Sequence, residues 1–365
     1  MYDYIIVGAG MYGASIARML HELGYKVLVV EKQKEVGGMC QDSKVDDFYV
    51  HLHGPHIFHT SNDRVWDFVN RFATFNNFIN SPKAFYNGRL YSLPFNMNTF
   101  YELFGAKNAL EAKRAIERDR VPCENPANLE EHILDIAGKT IYETLVKHYT
   151  EKQWGKSCKE LPASHIKRLP FRFVFDNNYF NDKYQGIPTE GYTNMIRNML
   201  QGIKVELEFD FCEPRNLEWC MMNCRGQIIY TGSVDDIMQR KHGRLTYRSL
   251  RFETFLLQDA DVQSNAVLNW TGPEFKHTRT IEHKHFMKNS TSPRTVITYE
   301  YPEQYDGTNE RYYPIDSVDN DELRRFYREH IPEKIFFGGR LGKFKYFDMD
   351  DVIEEAMKDL KVIIR

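Results

Sequence analysis

The first apolar residues of the chain form a short run that stops at a turn rich in glycine. Residues 4–7 have the β-branched composition of a buried strand, and the apolar spacing of residues 14–20 has the period of a helix. A second apolar run, at residues 26–30, follows the helix and leads directly into Glu31. This order predicts a βαβ unit with two parallel strands at the start of the chain.

Residues from about 98 to 160 carry helical spacing, with apolar positions three and four residues apart among many charged ones. The pattern predicts helices at 99–104, 106–118, 128–137 and 140–153. Asn128 is a residue type that favours the N-cap, and Glu131 stands three positions later, as at the start of many helices. We therefore predict a helical domain in this part of the chain.

Beyond residue 240 the pattern changes to short apolar runs that are separated by turns. Strands are predicted at 245–250, 267–270, 278–282 and 294–300, and their alternation with turns indicates an antiparallel sheet. Two further buried strands, at 228–232 and 334–340, run into glycines, and we expect both to return to the first βαβ unit.

The glycine turn supplies the first chemical signal. Gly8, Gly10 and Gly13 form a G-x-G-x-x-G pattern between the predicted strand and helix, where tight turning and close backbone approach favour a bound pyrophosphate. The helix N-terminus would present free N–H groups to that anion. Glu31 has the position of a carboxylate that binds a ribose. The pattern therefore predicts a dinucleotide cofactor.

A second glycine pair narrows the choice of dinucleotide. Gly37 and Gly38 follow Glu31 closely, and this run resembles the second glycine element of large flavoproteins related to glutathione reductase and amine oxidase. FAD is therefore the favoured cofactor, with NAD or NADP as the alternative. Glu31 disfavours NADP, because a carboxylate at this position would repel the 2′-phosphate.

The predicted fold class is α/β, with a Rossmann-like FAD-binding domain of the glutathione-reductase or amine-oxidase type, an inserted helical domain and an antiparallel β-sheet domain. We expect the FAD-binding domain to be discontinuous, over residues 1–78, 188–240 and 330–365. The helical domain covers residues 98–160. The sheet domain, which would hold the substrate, covers residues 79–97, 161–187 and 241–329.

Charge and composition exclude several other classes of protein. Lysine and arginine number 48 against 51 aspartates and glutamates, a net charge of −3, so no basic surplus indicates nucleic-acid binding. No apolar stretch is long enough to span a membrane and the N-terminus lacks a signal-peptide pattern, so we expect a cytoplasmic protein. The six cysteines form no C-x-x-C pair, which predicts reduced thiols, and no metal site is predicted.

Four blocks of the sequence together resemble one family. They are residues 54–60, 93–97, 168–192 and 338–350, and the ordered set is similar to bacterial UDP-galactopyranose mutases over nearly the whole chain. The resemblance implies an isomerase that interconverts UDP-galactopyranose and UDP-galactofuranose, with N5 of reduced FAD as the nucleophile at the anomeric carbon and no net redox change. It also implies that a reductant such as NAD(P)H charges the flavin, and it allows a homodimer.

The resemblance assigns roles to particular side chains. Arg172 and Arg279 match arginines that neutralise the diphosphate and favour its departure, so they are the expected catalytic residues together with His56 beside the flavin. The expected substrate-binding residues are Tyr149, Trp154, Arg172, Tyr179, Arg279, Tyr313 and Tyr346. The expected cofactor-binding residues are Gly8, Gly10, Tyr12, Gly13, Glu31, Lys32, Gly38, Met39, His56, Arg340, Asp348 and Met349.

The segment 172–185 is rich in asparagine, aspartate and aromatic residues and has few aliphatic anchors. We predict that it forms a lid that closes over the substrate and carries Arg172 into place.

Three alternatives to this activity stay open at the level of sequence. A conventional FAD oxidoreductase of the amine-oxidase type would share the fold. A mutase that prefers UDP-N-acetylgalactosamine would share the mechanism, and Met39 and His53 depart from the family pattern beside the cofactor. A protein that binds a nucleotide sugar without turning it over would share the binding residues. Paired arginines and several tyrosines suit a diphosphate better than a neutral amine, which favours the mutase.

Overall fold

The βαβ unit predicted at the start of the chain lies at the centre of a five-stranded parallel sheet. The computed structural model describes residues 1–166 and 171–364, so residues 167–170 and 365 of the predicted blocks and domains lie outside the described residues. The strands are β1 Tyr4–Val7, β2 Val27–Val30, β3 Asp42–Val45, β4 Phe48–His51, β5 Phe58–Thr60, β6 Lys83–Tyr86, β7 Arg89–Ser92, β8 Tyr184–Gly186, β9 Lys204–Glu206, β10 Ile228–Tyr230, β11 Tyr247–Leu257, β12 Val267–Trp270, β13 Arg279–Glu282, β14 Thr295–Gln304, β15 Tyr313–Pro314 and β16 Ile335–Phe337. The α-helices are α1 Met11–Glu22, α2 Asp63–Asn70, α3 Met97–Phe104, α4 Ala109–Asp119, α5 Leu129–Ala137, α6 Lys139–Ile141, α7 Lys147–Trp154, α8 Tyr192–Met199, α9 Pro214–Asn223, α10 Val234–Ile237, α11 Val318–His330, α12 Gly339–Lys343 and α13 Met349–Ile363.

The parallel sheet has the strand order β16–β10–β1–β2–β9. Successive side chains of its strands enter two different cores: Ile6 and Val29 pack with α1, α8 and α13, whereas Ile5 and Leu28 pack with α9 and α11. Burial on both faces explains why these strands are almost entirely apolar. Strands β10 and β16 pair side by side in this sheet, so the predicted return of both late strands to the first βαβ unit is confirmed.

The second sheet has seven strands in the order β15–β11–β14–β13–β12–β6–β7. Its pairs are antiparallel, as predicted, except that β6 runs parallel to β12. Two strands are longer than the predicted strands at 245–250 and 294–300. Strands β11 and β14 pair from Arg248 opposite Gln304 to Leu257 opposite Thr295. Beyond Leu250, β11 is largely exposed and includes the charged Arg251 and Glu253, which interrupts the apolar pattern while the backbone pairing with β14 continues.

The predicted helices between 98 and 160 are present, with different boundaries. Asn128 caps α5 as expected, because its side-chain oxygen accepts a hydrogen bond from the Glu131 N–H at 3.0 Å. The single helix predicted at 140–153 is instead α6, a π-helical turn at Tyr142–Val146, and α7. Four of the five residues in that turn are buried, and the wider turn allows them to face the core together.

The carboxyl ends of β1, β2 and β10 open into one large cavity, the usual place for a ligand in such a sheet. Across the described part of the chain, no helix combines the length and the apolar character needed to cross a membrane.

Candidate functional site

The glycine turn after β1 leaves the N-terminus of α1 open to a ligand. Gly8 has a φ of 103°, a conformation that favours glycine. A Cβ atom on Gly13 would lie 1.9 Å from the Gly8 carbonyl oxygen, so only glycine permits this approach of helix to strand. Within the described ranges no side chain caps α1, whose N-cap is Gly10. The first N–H groups of the helix are therefore available to an anion such as a pyrophosphate.

The second glycine pair packs directly against this turn. The Gly37 N–H donates to the Ala9 carbonyl at 2.9 Å, and a Cβ atom on Gly38 would lie 3.1 Å from Cα of Gly10. Both glycine elements therefore contribute adjacent backbone to the wall of the cavity.

Glu31 holds the glycine turn in place from the end of β2. Its carboxylate is buried and accepts hydrogen bonds from the Ala9 N–H at 2.7 Å and the Gln33 N–H at 2.9 Å. Each carboxylate oxygen has a second lone pair, so Glu31 can also accept from the hydroxyls of a ribose.

The cavity has a volume of about 1100 Å³, and eleven of the twelve expected cofactor-binding residues line it. These eleven are Gly8, Gly10, Tyr12, Gly13, Glu31, Lys32, Gly38, Met39, His56, Arg340 and Met349. Asp348 is not among the lining residues: it caps α13 and accepts a hydrogen bond from the Tyr346 hydroxyl at 2.8 Å. The Tyr12 hydroxyl is also engaged within the protein, because it donates to Asp359 at 2.6 Å.

Several residues that sequence reasoning missed also line the cavity. Phe209 and Phe211 follow β9, a strand that the apolar pattern did not predict, so no sequence signal marked them. Asp236 and Arg311 lie 75 positions apart and form an ion pair in the cavity wall. No local sequence pattern indicates a pair so distant along the chain.

His56 is neutral and faces the cavity. Its ring Nδ1 lies 2.9 Å from the Gly54 carbonyl oxygen, and its backbone N–H donates to Nδ1 of His51 at 3.1 Å. Burial, reinforced by the charges of Arg340 and Arg279, lowers the pKa of His56 to about 4, although the hydrogen bond to the Gly54 carbonyl opposes this shift. A group with this pKa is uncharged at neutral pH, which suits placement of a ligand by hydrogen bonding.

Five of the seven expected substrate-binding residues lie together beside the cavity, with three tyrosines near the guanidinium of Arg279 and a fourth, Tyr346, packed against Tyr313. They are Tyr149, Tyr179, Arg279, Tyr313 and Tyr346. The rings of the last two tyrosines are 5.9 Å apart, and the guanidinium of Arg340, a cavity residue, stacks 4.9 Å over Tyr346.

Arg279 is held in this cluster by Glu300, which sequence reasoning missed. Glu300 lies opposite Arg279 in the β13–β14 pair and is fully buried, and its two oxygens accept from the guanidinium at 2.8 and 2.7 Å. Burial alone would lower the pKa of Arg279, but Glu300, Tyr149 and Tyr313 together raise it well above its usual value. The Arg279 guanidinium therefore stays charged, and it forms an ion pair with the buried Glu300 carboxylate.

The tyrosines around Arg279 keep their protons. Burial raises the pKa of Tyr149, Tyr179 and Tyr313, and the Arg279 charge offsets part of that rise. Neutral phenols beside a guanidinium are hydrogen-bond donors, and this combination suits the oxygens of a phosphate.

Arg172 is not part of this cluster. Its guanidinium bonds within its own loop, to the carbonyl of Asn178, to the carbonyl of Tyr179 at 3.2 Å, and to the side chain of Asn181. Its backbone N–H donates to the Phe95 carbonyl at 2.9 Å. The loop that was predicted to be a lid thus binds its own arginine, beside the clustered Tyr179.

Trp154 also lies apart from the cluster, at the C-terminal end of α7. Its ring packs edge-on against His165 at 4.2 Å between centroids and contacts the core of the helical region. Tyr149, on the same helix, reaches the Arg279 cluster instead.

One group of acidic and histidine side chains elsewhere has the ligand types of a metal site. Asp261, Glu282 and His285 have ligand atoms within 4.8 Å of one another. Nε2 of His285 lies 3.3 Å from each carboxylate, and Glu282 also accepts from two backbone N–H groups. The group is therefore already satisfied by internal hydrogen bonds and an ion pair.

Comparisons with known proteins connect both sites to described families. A family model described as UDP-galactopyranose mutase matches residues 144–346, which contain every expected substrate-binding residue. A second model, described as an NAD(P)-binding Rossmann-like domain, matches residues 6–72.

Individual relatives are similar over the whole length of the chain. A probable UDP-galactopyranose mutase of Klebsiella pneumoniae is 38% identical over 364 residues, covering 98% of this chain and 93% of that protein. A dTDP-fucopyranose mutase of Escherichia coli is 35% identical over 373 residues, covering 100% and 99%. Among solved structures, a reduced UDP-galactopyranose mutase has a TM-score of 0.72 at 15% identity, covering 100% and 94%, which shows a shared fold.

Proposed function

The chain belongs to the UDP-galactopyranose mutase family and is an enzyme of the isomerase class, and we propose that it interconverts UDP-galactopyranose and UDP-galactofuranose with bound FAD. The observation that carries the proposal is the cluster of Arg279 and four tyrosines beside the dinucleotide cavity. A nucleoside diphosphate sugar would lie with its phosphates on this cluster and its sugar toward His56.

The cavity supports FAD as the cofactor through its glycine backbone, the open N-terminus of α1 and the Glu31 carboxylate. These three features match a pyrophosphate and an adenosine ribose. When bound and reduced, FAD supplies the nucleophile for the ring contraction, while the protein supplies placement and charge.

The side chains of the cluster would act on the diphosphate of the substrate. Arg279, fixed by Glu300, would stabilise the negative charge that develops as UDP departs. Tyr149 and Tyr313 would donate hydrogen bonds to phosphate oxygens. Arg172 would add a second positive charge once its loop closes, and it must first exchange its bonds to Asn178 and Asn181 for bonds to phosphate.

A second candidate substrate is dTDP-fucopyranose, because the E. coli relative that bears this activity in its name is similar over the full chain. The same diphosphate cluster would serve either nucleotide. The comparisons do not favour an amine-oxidase-type oxidoreductase, since the mutase family model matches the part of the chain that holds Arg279 and the tyrosines.

The test is a turnover assay with the purified yellow protein. UDP-galactofuranose, UDP-N-acetylgalactosamine and dTDP-fucopyranose are each incubated with and without dithionite, and the isomer formed is measured by chromatography. The proposal expects UDP-galactopyranose to form only in the reduced sample. A higher kcat/KM with dTDP-fucopyranose would move the assignment to the second candidate, and no conversion of any sugar by flavin-loaded, reduced protein would refute both.

A further inference from the structure

Two histidines in one loop line the cavity, and their rings are held by chemically different partners. Nδ1 of His53 lies 2.8 Å from the Tyr312 hydroxyl, whereas Nδ1 of His56 lies 2.9 Å from the Gly54 carbonyl oxygen. A carbonyl oxygen only accepts hydrogen bonds, whereas a phenol can also donate one. The tautomer of each ring follows from this difference.

The His56 ring must carry its proton on Nδ1, because the Gly54 carbonyl can only accept. Since burial keeps this histidine neutral, its Nε2 then has a free lone pair. His56 therefore offers a hydrogen-bond acceptor to the cavity that it lines.

The His53 ring has the opposite arrangement. Tyr312 is only 5% exposed, and among residues 1–166 and 171–364 its hydroxyl has no hydrogen-bond partner other than His53. Burial raises the pKa of Tyr312, so the phenol keeps its proton and donates it to Nδ1 of His53. Burial also lowers the pKa of His53, with Glu310 opposing, so the neutral ring carries its proton on Nε2.

We propose that His53 and His56 form a complementary pair that donates from Nε2–H of His53 and accepts at Nε2 of His56 toward the ligands in the cavity. Tyr312 is a positioning residue that sets the His53 tautomer. This inference rests on the proposed function in that a flavin and a sugar occupy the cavity. The group that meets His53 is an oxygen acceptor, either a flavin carbonyl or a sugar hydroxyl, and the experiments below distinguish these two sources.

The tautomers can be measured directly by ¹⁵N NMR of the FAD-loaded protein labelled at histidine, with signals assigned through His53→Gln and His56→Gln. The expected spectrum has His53 protonated at Nε2 and His56 protonated at Nδ1. A His53 protonated at Nδ1 would overturn the proposal. The measurement requires no turnover, so it gives the same answer whichever nucleotide sugar is the substrate.

The ligand contact of His53 can be tested with three variants and a matched control. His53→Leu removes the donor and should weaken binding of the contacted ligand about tenfold, the usual scale for a lost buried hydrogen bond. His53→Gln, whose amide can donate, should recover most of that loss. Tyr312→Phe should lie between the two, because the ring is then free to change tautomer. His330→Gln, on an exposed histidine of α11, should leave every measurement unchanged.

Midpoint potential, FAD affinity and KM distinguish whether a flavin carbonyl or a sugar hydroxyl accepts the hydrogen bond from His53. A flavin carbonyl as partner would change the midpoint potential and the FAD affinity without sugar present. A sugar hydroxyl would leave both unchanged and raise KM for the nucleotide sugar while the affinity for UDP stays constant. If His53→Leu matches the wild type in potential, FAD affinity and KM, His53 makes no ligand contact and the proposal is wrong.

Discussion

Replacing Arg279 with alanine should lower the stability of the protein as well as its affinity for UDP. The guanidinium donates two hydrogen bonds, at 2.8 and 2.7 Å, to the fully buried carboxylate of Glu300. Among the described residues, the remaining side-chain partner of that carboxylate is the Thr278 hydroxyl at 3.2 Å. Removing one member of a buried ion pair costs about 3–5 kcal/mol, because the other charge stays buried without compensation. We expect a loss of that size in the free energy of unfolding.

A second variant separates this stability effect from substrate binding. In the double variant Arg279→Ala/Glu300→Gln the stranded charge is gone, so stability should return to within about 2 kcal/mol of the wild type. UDP affinity should stay low in both variants, since both lack the guanidinium that would bind phosphate. The double variant should therefore recover the stability of the protein but not its affinity for UDP.

The assay is urea unfolding of FAD-saturated protein followed by circular dichroism, with UDP titrated by calorimetry. Arg251→Ala is a matched control in the same sheet, because its 2.7 Å pair with Glu303 is solvent-exposed and should contribute less than about 1 kcal/mol. Equal losses in the single and double variants, at unchanged denaturant slope, would refute the reasoning. So would a loss below 1 kcal/mol in Arg279→Ala.

Three other predictions follow from the same structure. Gly13→Ala should abolish the yellow colour of the purified protein, because its Cβ atom would lie 1.9 Å from the Gly8 carbonyl oxygen, and retained flavin absorbance would contradict this. Arg172→Ala should lower kcat about 100-fold with FAD affinity unchanged, and normal turnover would exclude the residue from the site. Glu282 chiefly raises the pKa of His285, so this pair stabilises the fold below the unfolded pKa of histidine and the contribution disappears as pH rises through the folded pKa. Thermal unfolding across that range should show a larger loss in the wild type than in Glu282→Gln, where only Asp261 still raises the pKa of His285.

Much of the cofactor side of the molecule could be predicted from sequence because its signals are local. The strand, glycine turn and helix around Gly10 are adjacent in the chain, and Glu31 follows at the end of the next strand. Asn128 caps its helix as predicted, because the cap and the N–H it satisfies are three residues apart. In each case the physical cause acts between residues that are close in sequence, so the local sequence pattern predicts the structure.

Other features depend on contacts between distant parts of the chain. Strand β11 continues through exposed, charged positions because backbone pairing with β14 sustains it, and the π-helical turn forms where packing requires a wider buried face. The spacing of apolar residues predicts neither the longer strand nor the π-helical turn.

The candidate substrate site shows the same division between local pattern and tertiary contact. Residue types and the family resemblance indicate Arg279 and the tyrosines, but only the register of β13 against β14 brings Glu300 under that guanidinium. Likewise, only the folded chain brings Tyr312 within hydrogen-bond distance of His53, 259 residues away. The sequence by itself thus determined the βαβ unit and the chemistry available, because turns, caps and periodicity are local. The tertiary structure decided which charges are paired and which ring nitrogens face the cavity, because those depend on distances between strands that are remote in sequence.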